Sequence, residues 1–164
     1  MSNKADRWTR SKLLSQVVAS TNGTTDIDIS EADYTGYVTL LTVAPATGYD
    51  LLDCTIDLDW NKATTGFDTV ATAADTLDSC VVMNIDGTNY RTIAIGTQIT
   101  ANGDGSLEDN ESGQRFNLGF VPSGCSVIVK VKLSAERDDV EIPYRVTYRS
   151  ELGKAPTVTA VAAA

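Results

Sequence analysis

Polar and apolar residues alternate along much of this chain, and the alternation is clearest in residues 50–60, D-L-L-D-C-T-I-D-L-D-W. Leu52, Cys54, Ile56, Leu58 and Trp60 share one parity and Asp53, Thr55, Asp57 and Asp59 the other, the period-two signature of a core strand with one wet face. The wet face then carries a row of carboxylates, with same-face neighbours about 6.5–7 Å apart. Residues 126–134 repeat the pattern with Val127, Val129, Val131 and Leu133 against Lys130 and Lys132. Residues 140–149 set Ile142, Tyr144, Val146 and Tyr148 against Arg145 and Arg149. Residues 36–44 are apolar on both parities, as expected of a central strand covered on both faces. Residues 79–86 and 90–100 read as a hairpin around Asp86-Gly87 and Thr88-Asn89, with Ile93, Ile95 and Ile99 on one parity.

Weaker signals fill the intervals. Residues 13–20 fit a short strand or a helical turn, the β-branched content favouring the strand, and T-N-G-T at 21–24 marks a turn before a second strand at 25–30. Residues 61–77 and 101–114 read as long polar loops, 115–121 as a short strand and P-S-G at 122–124 as a turn. Eight to ten short strands without a convincing helix predict an all-β fold, a single antiparallel β-sandwich of jelly-roll or Greek-key type with extended arms at both ends. The expected organisation is a basic arm at 1–12, the sandwich at 13–150 and an extended tail at 151–164.

Charge is distributed unevenly over the 164 residues, whose formal net is −9. Residues 1–12 carry four basic groups against one acidic, while residues 13–129 carry three against sixteen. Such a body repels phosphate backbones, so no nucleic-acid partner is expected. No apolar run reaches the roughly 18–20 residues that span a bilayer, and no membrane partner is expected. Cys54, Cys80 and Cys125, an odd number at wide spacing, read as packed thiols.

The sequence contains no histidine, which removes Ser-His-Asp and Cys-His catalysis in their usual forms and the histidine-bearing zinc sites. The G-D-G at 103–105 lacks the context of a phosphate loop, and no cofactor is expected. Asp57 and Asp59 form a same-face pair of the type glycosidases use, although a chain this rich in Asp produces such pairs by composition alone. Asn102, Asp104, Glu108 and Asp109 supply hard oxygen ligands that invite calcium. Leu107 and Gly113, however, occupy the positions where an EF-hand loop counted from Asn102 needs glycine and its bidentate glutamate. The simpler reading of the Asp53, Asp57 and Asp59 row is a ladder of cross-strand ion pairs with Lys130, Lys132, Arg145 or Arg149.

The segment D-T-V-A-T-A-A-D-T-L-D-S-C-V-V-M-N-I-D-G-T-N-Y-R at 68–91, followed by R-V-T-Y-R at 145–149, resembles the small β-sandwich cement and decoration proteins of tailed-phage capsids. The resemblance implies a non-enzymatic virion protein on the capsid surface that binds the major capsid protein lattice, commonly as a homotrimer. It transfers no functional residue position by position. From the residues themselves, Arg7, Trp8, Arg10 and Lys12 are the expected partner contacts, an apolar anchor flanked by cations. The alternative is a carbohydrate- or surface-binding module, including a phage tail or adsorption component, using Tyr34, Tyr49, Phe67 and Tyr90.

Overall fold

The computed structural model describes residues 17–29, 36–61, 66–67, 71, 73–103, 107, 113–135 and 137–161. Ten strands, β1 (Val17–Ile29), β2 (Val38–Ala44), β3 (Leu51–Asp59), β4 (Thr76–Asn84), β5 (Tyr90–Ile95), β6 (Ile99–Thr100), β7 (Gly113–Asn117), β8 (Ser126–Leu133), β9 (Arg137–Ser150) and β10 (Thr157–Ala160), form two antiparallel sheets. One has the order β1-β9-β3-β7, and the other β10-β2-β8-β4-β5 with β6 also on β4.

The pairing is nested. The β4–β5 hairpin is the tip, and β3–β7, β2–β8 and β1–β9 pair outward from it. Successive pairs of this ribbon fall alternately in the two sheets, which is the jelly roll. Alternate side chains of β3, β8 and β9 enter one core, where Trp60, Phe67, Leu40, Ile56, Val129 and Ile142 are fully buried. The strong alternations hold: Val127, Val129, Val131 and Leu133 are buried on β8, and Cys54, Ile56, Leu58 and Trp60 at β3.

Departures from simple parity occur where the register shifts. On β2, Thr39 pairs with Lys130 and Leu41 with Val129, so Leu40 is an extra residue; both leucines turn inward. This bulge accounts for the run of apolar residues on both parities. On β3 the extra residue is Leu52, and Leu51 rather than Leu52 is buried. On β5 it is Ile93, since Val82 pairs with Thr92 and Val81 with Ala94. Ile93 packs against the core while Ile95 turns out to solvent, so the expected common face of Ile93, Ile95 and Ile99 does not form.

The turn expected at residues 21–24 is absent. These residues continue β1, each in register with β9, because the long β9 offers an unbroken ladder that overrides the local turn preference. Gly23 contributes by what it lacks: a Cβ there would lie 2.5 Å from the Tyr144 hydroxyl, so the glycine makes room for that side chain. Within the segment expected as a tail, Thr157–Ala160 form a strand, and that strand is paired. After a corner at Glu151–Gly153, β10 lies on the edge of β2 in the opposite sheet.

At the other flank, Gln114 of β7 accepts the Thr97 N–H at 3.1 Å and joins the sheet edges. Gly96 donates its N–H to the Ser79 carbonyl at 2.8 Å, and a Cβ at Gly96 would overlap the buried Ser79 Oγ. At the tip, Asp86 accepts the Thr88 and Asn89 N–H groups at 3.1 and 2.8 Å, together with both of their side chains. These donors favour the carboxylate and pull the Asp86 pKa down to about 2.

Two outcomes follow from this closure. Gly96→Ala should destabilise the fold by about 1–3 kcal/mol through overpacking, read as a lower denaturation midpoint at unchanged m-value. Because folding lowers the Asp86 pKa from its ordinary 3.8 to about 2, its contribution is complete above the unfolded value and disappears as pH falls through the folded one. The stability difference between wild type and Asp86→Ala should be flat near neutrality and shrink between pH 3.8 and about 2 in acid titrations followed by circular dichroism.

Candidate functional site

The chemistry-bearing residues lie on the outer faces of the two sheets, and the faces differ in kind. On the four-stranded sheet, the outward residues of β3 sit between β9 and β7. Asp53 pairs in register with Arg149, Thr55 with Thr147 and Asn117, and Asp57 with both Arg145 and Arg115. Arg115 Nε donates to Asp57 Oδ1 at 2.5 Å, and this contact raises the Arg115 pKa. Thr55 Oγ1 donates to Asn117 Oδ1 at 3.3 Å. Asp59 is in register with Gly113 of β7 and accepts the Asn61 N–H at 3.0 Å.

The β3–β9 ladder stops at Leu58 and Tyr144. The next residue of β9, Pro143, has no N–H to give, so the strands separate there. An open depression of about 470 Å³ lies at this point, lined by Asp57, Asp59, Arg115, Pro143 and Arg145 with Gly23 alongside.

The six-stranded sheet presents another surface. Lys132 is opposite Asp78, which also accepts from Gln98 Nε2 at 2.8 Å, whereas Lys130 is flanked by Cys80 and Thr39. Ile95, across Cys80 from Lys130, is 78% exposed and Tyr37 46%, while Tyr90, opposite Asn84 at the far end of β4, is 56% exposed. The Tyr37 pKa is raised by desolvation, with smaller contributions from Asp78 and Cys80.

No protein-family model matches the chain, and no curated protein matches it in sequence. Among solved structures it is similar to the capsid of Helicobacter pylori bacteriophage KHP30, at 7% identity and a TM-score of 0.41, over 88% of this chain and 98% of that one. It is also similar to Desmodium yellow mottle tymovirus, at 8% identity and a TM-score of 0.40, over 90% and 92% of the two chains. A third is the VP2 subviral particle of infectious bursal disease virus, at 10% identity and a TM-score of 0.40, covering 90% of this chain but 38% of that one.

Of the cations expected opposite the β3 carboxylates, two arginines lie there in register, and the ion pair seen in the structure joins Asp57 to Arg115 of β7 instead. Arg145 and Arg149 lie opposite the β3 carboxylates, while Lys130 and Lys132 belong to the other sheet because β8 pairs with β2 and β4. Arg7, Trp8, Arg10 and Lys12 lie outside the described residues, as do Asp104, Glu108 and Asp109. Asn102 is exposed next to Ala101, and Leu107 in the same segment is buried. Among the described residues no three Cys, Asp or Glu side chains converge in a way that would hold a metal ion.

Of the aromatics considered for sugar binding, Phe67 is a core residue rather than a surface platform. Tyr49 lies under Lys154, whose Nζ is 5.5 Å from the ring centroid; Tyr90 is exposed, and Tyr34 lies outside the described residues. The outward position of Ile95 had no usable sequence signal, because the bulge at Ile93 is specified by pairing with β4.

Burial, reinforced by the Asp53 charge, pushes the Cys54 thiol up to about 12. Alkylation of the native protein at pH 8 should therefore spare Cys54 and modify it only after denaturant is added, as read by peptide mass spectrometry.

Proposed function

We propose that this chain is a non-enzymatic virion structural protein, a capsid cement protein that binds the major capsid protein lattice at the capsid surface and stabilises the head. The observation that carries this reading is the outer face of the six-stranded sheet, where Lys130 and the exposed Ile95 flank Cys80 in register and Tyr37 lies near Asp78 and Cys80. Exposed apolar and tyrosine side chains near a cation are suited to burial against a protein surface.

The opposite face supports a binding role in a different way. Asp53 and Asp57 are set against arginines by strand register, and Asp57 is held by Arg115. They are arranged as ladder charges, which suits recognition better than proton transfer.

In this reading the protein acts as a homotrimer. Residues 1–12 extend the contact, with Trp8 as the apolar anchor and Arg7, Arg10 and Lys12 supplying charge complementarity. Deleting residues 1–12 should leave the melting temperature unchanged and lower the occupancy of the protein on capsids. Ile95→Asp should lower it as well, and full occupancy by both variants would overturn the proposal.

A further inference from the structure

The depression at the end of the β3–β9 ladder is built from two neighbouring rows of the four-stranded sheet. In one row Arg145, Asp57 and Arg115 stand side by side across β9, β3 and β7. In the next, past the last β3–β9 pair, Asp59 is opposite Gly113, which brings no side chain, and the half-buried Pro143 lies on the β9 flank. A charged wall therefore stands over a low floor. The space between them, about 470 Å³, has the size of a small-molecule site.

The wall narrows the chemistry of what can enter. Among the described residues, two carboxylates and two guanidinium groups line the depression, so their formal charges cancel. A lone cation or anion would meet opposing charge and compete with the Asp57–Arg115 pair. A hydroxyl both donates and accepts, whereas a carboxylate only accepts and a guanidinium only donates. Strand register sets these two kinds of group next to each other, as vicinal hydroxyls require.

Both carboxylates are also oriented in advance. Arg115 Nε donates to Asp57 Oδ1, and the Asn61 N–H donates to Asp59 Oδ1 at 3.0 Å. An ionised carboxylate has about four acceptor sites and a guanidinium five N–H donors, so these bonds leave capacity for a ligand. Groups held in place beforehand lose little freedom on binding.

We infer that the depression binds a neutral saccharide. Its hydroxyls bridge Asp57 and Asp59 to the two guanidinium groups, and a C–H face of the ring rests on Pro143. Occupancy is independent of capsid binding, because a protein seated through the six-stranded sheet keeps the outer face of the four-stranded sheet in solvent.

On an array of neutral and charged oligosaccharides the full chain should be retained by at least one neutral member. Calorimetric titration with that oligosaccharide should then give one site per chain. Asp59→Asn keeps an acceptor for the Asn61 N–H but removes a charge-assisted bond to a hydroxyl, so Kd should rise about tenfold or more at an unchanged melting temperature. Arg145→Gln should act in the same direction, and Tyr90→Ala, on the other sheet, should change nothing. Retention by no neutral oligosaccharide, or by charged ones alone, would overturn the proposal. So would binding that Asp59→Asn and Arg145→Gln both leave intact.

Discussion

Parity governs this structure. A strand that slips by one residue moves all of its apolar side chains from the core to solvent, so burial of one face fixes the register of each ladder. Cys54, Ile56 and Leu58 on β3, Val127 to Leu133 on β8, and Val140, Ile142 and Val146 on β9 impose this constraint from both sheets. The outer faces follow from the same registers. Once the core sets β3 between β9 and β7, Asp57 has to lie opposite Arg145 and Arg115. The charge pattern thus follows from core packing.

Bulges adjust that constraint locally. Each inserts one residue that resets which parity faces inward, at Leu40, Leu52 and Ile93. Their effects reach the surface. The shift at Ile93 places Ile95 beside Cys80 on the outer face, and without it the six-stranded sheet would lose its most exposed apolar side chain. One local change of register therefore turns an isoleucine from the core side to the outer face.

The sequence was legible where one strand's own alternation decides its orientation, as in residues 54–60, 126–133 and 140–148, and where turn chemistry is local, as at Asp86-Gly87. It was silent where the outcome depends on a distant partner. T-N-G-T has the composition of a turn, yet β9 keeps it extended. The β8 lysines and β9 arginines look alike along the chain, and only the choice of sheet decides which of them meets the β3 carboxylates. The tail's alternating Thr, Val and Ala fit an arm equally well, until the β2 edge is seen to be open for it. Of the candidate site, the Asp and Arg residues were visible as charges, whereas the Pro143 break that opens the depression required the ladder to be known.

The nested ribbon also bears on how the protein is made. Val17 of β1 meets Ser150 of β9, so β1 waits through the synthesis of the strands between them before it has this partner. The β4–β5 tip can pair while much of the chain is still on the ribosome, whereas β1 cannot be completed until β9 emerges. During that interval the strand edges of the growing chain lie open to other nascent copies. The ribbon can close only once β9 has been made.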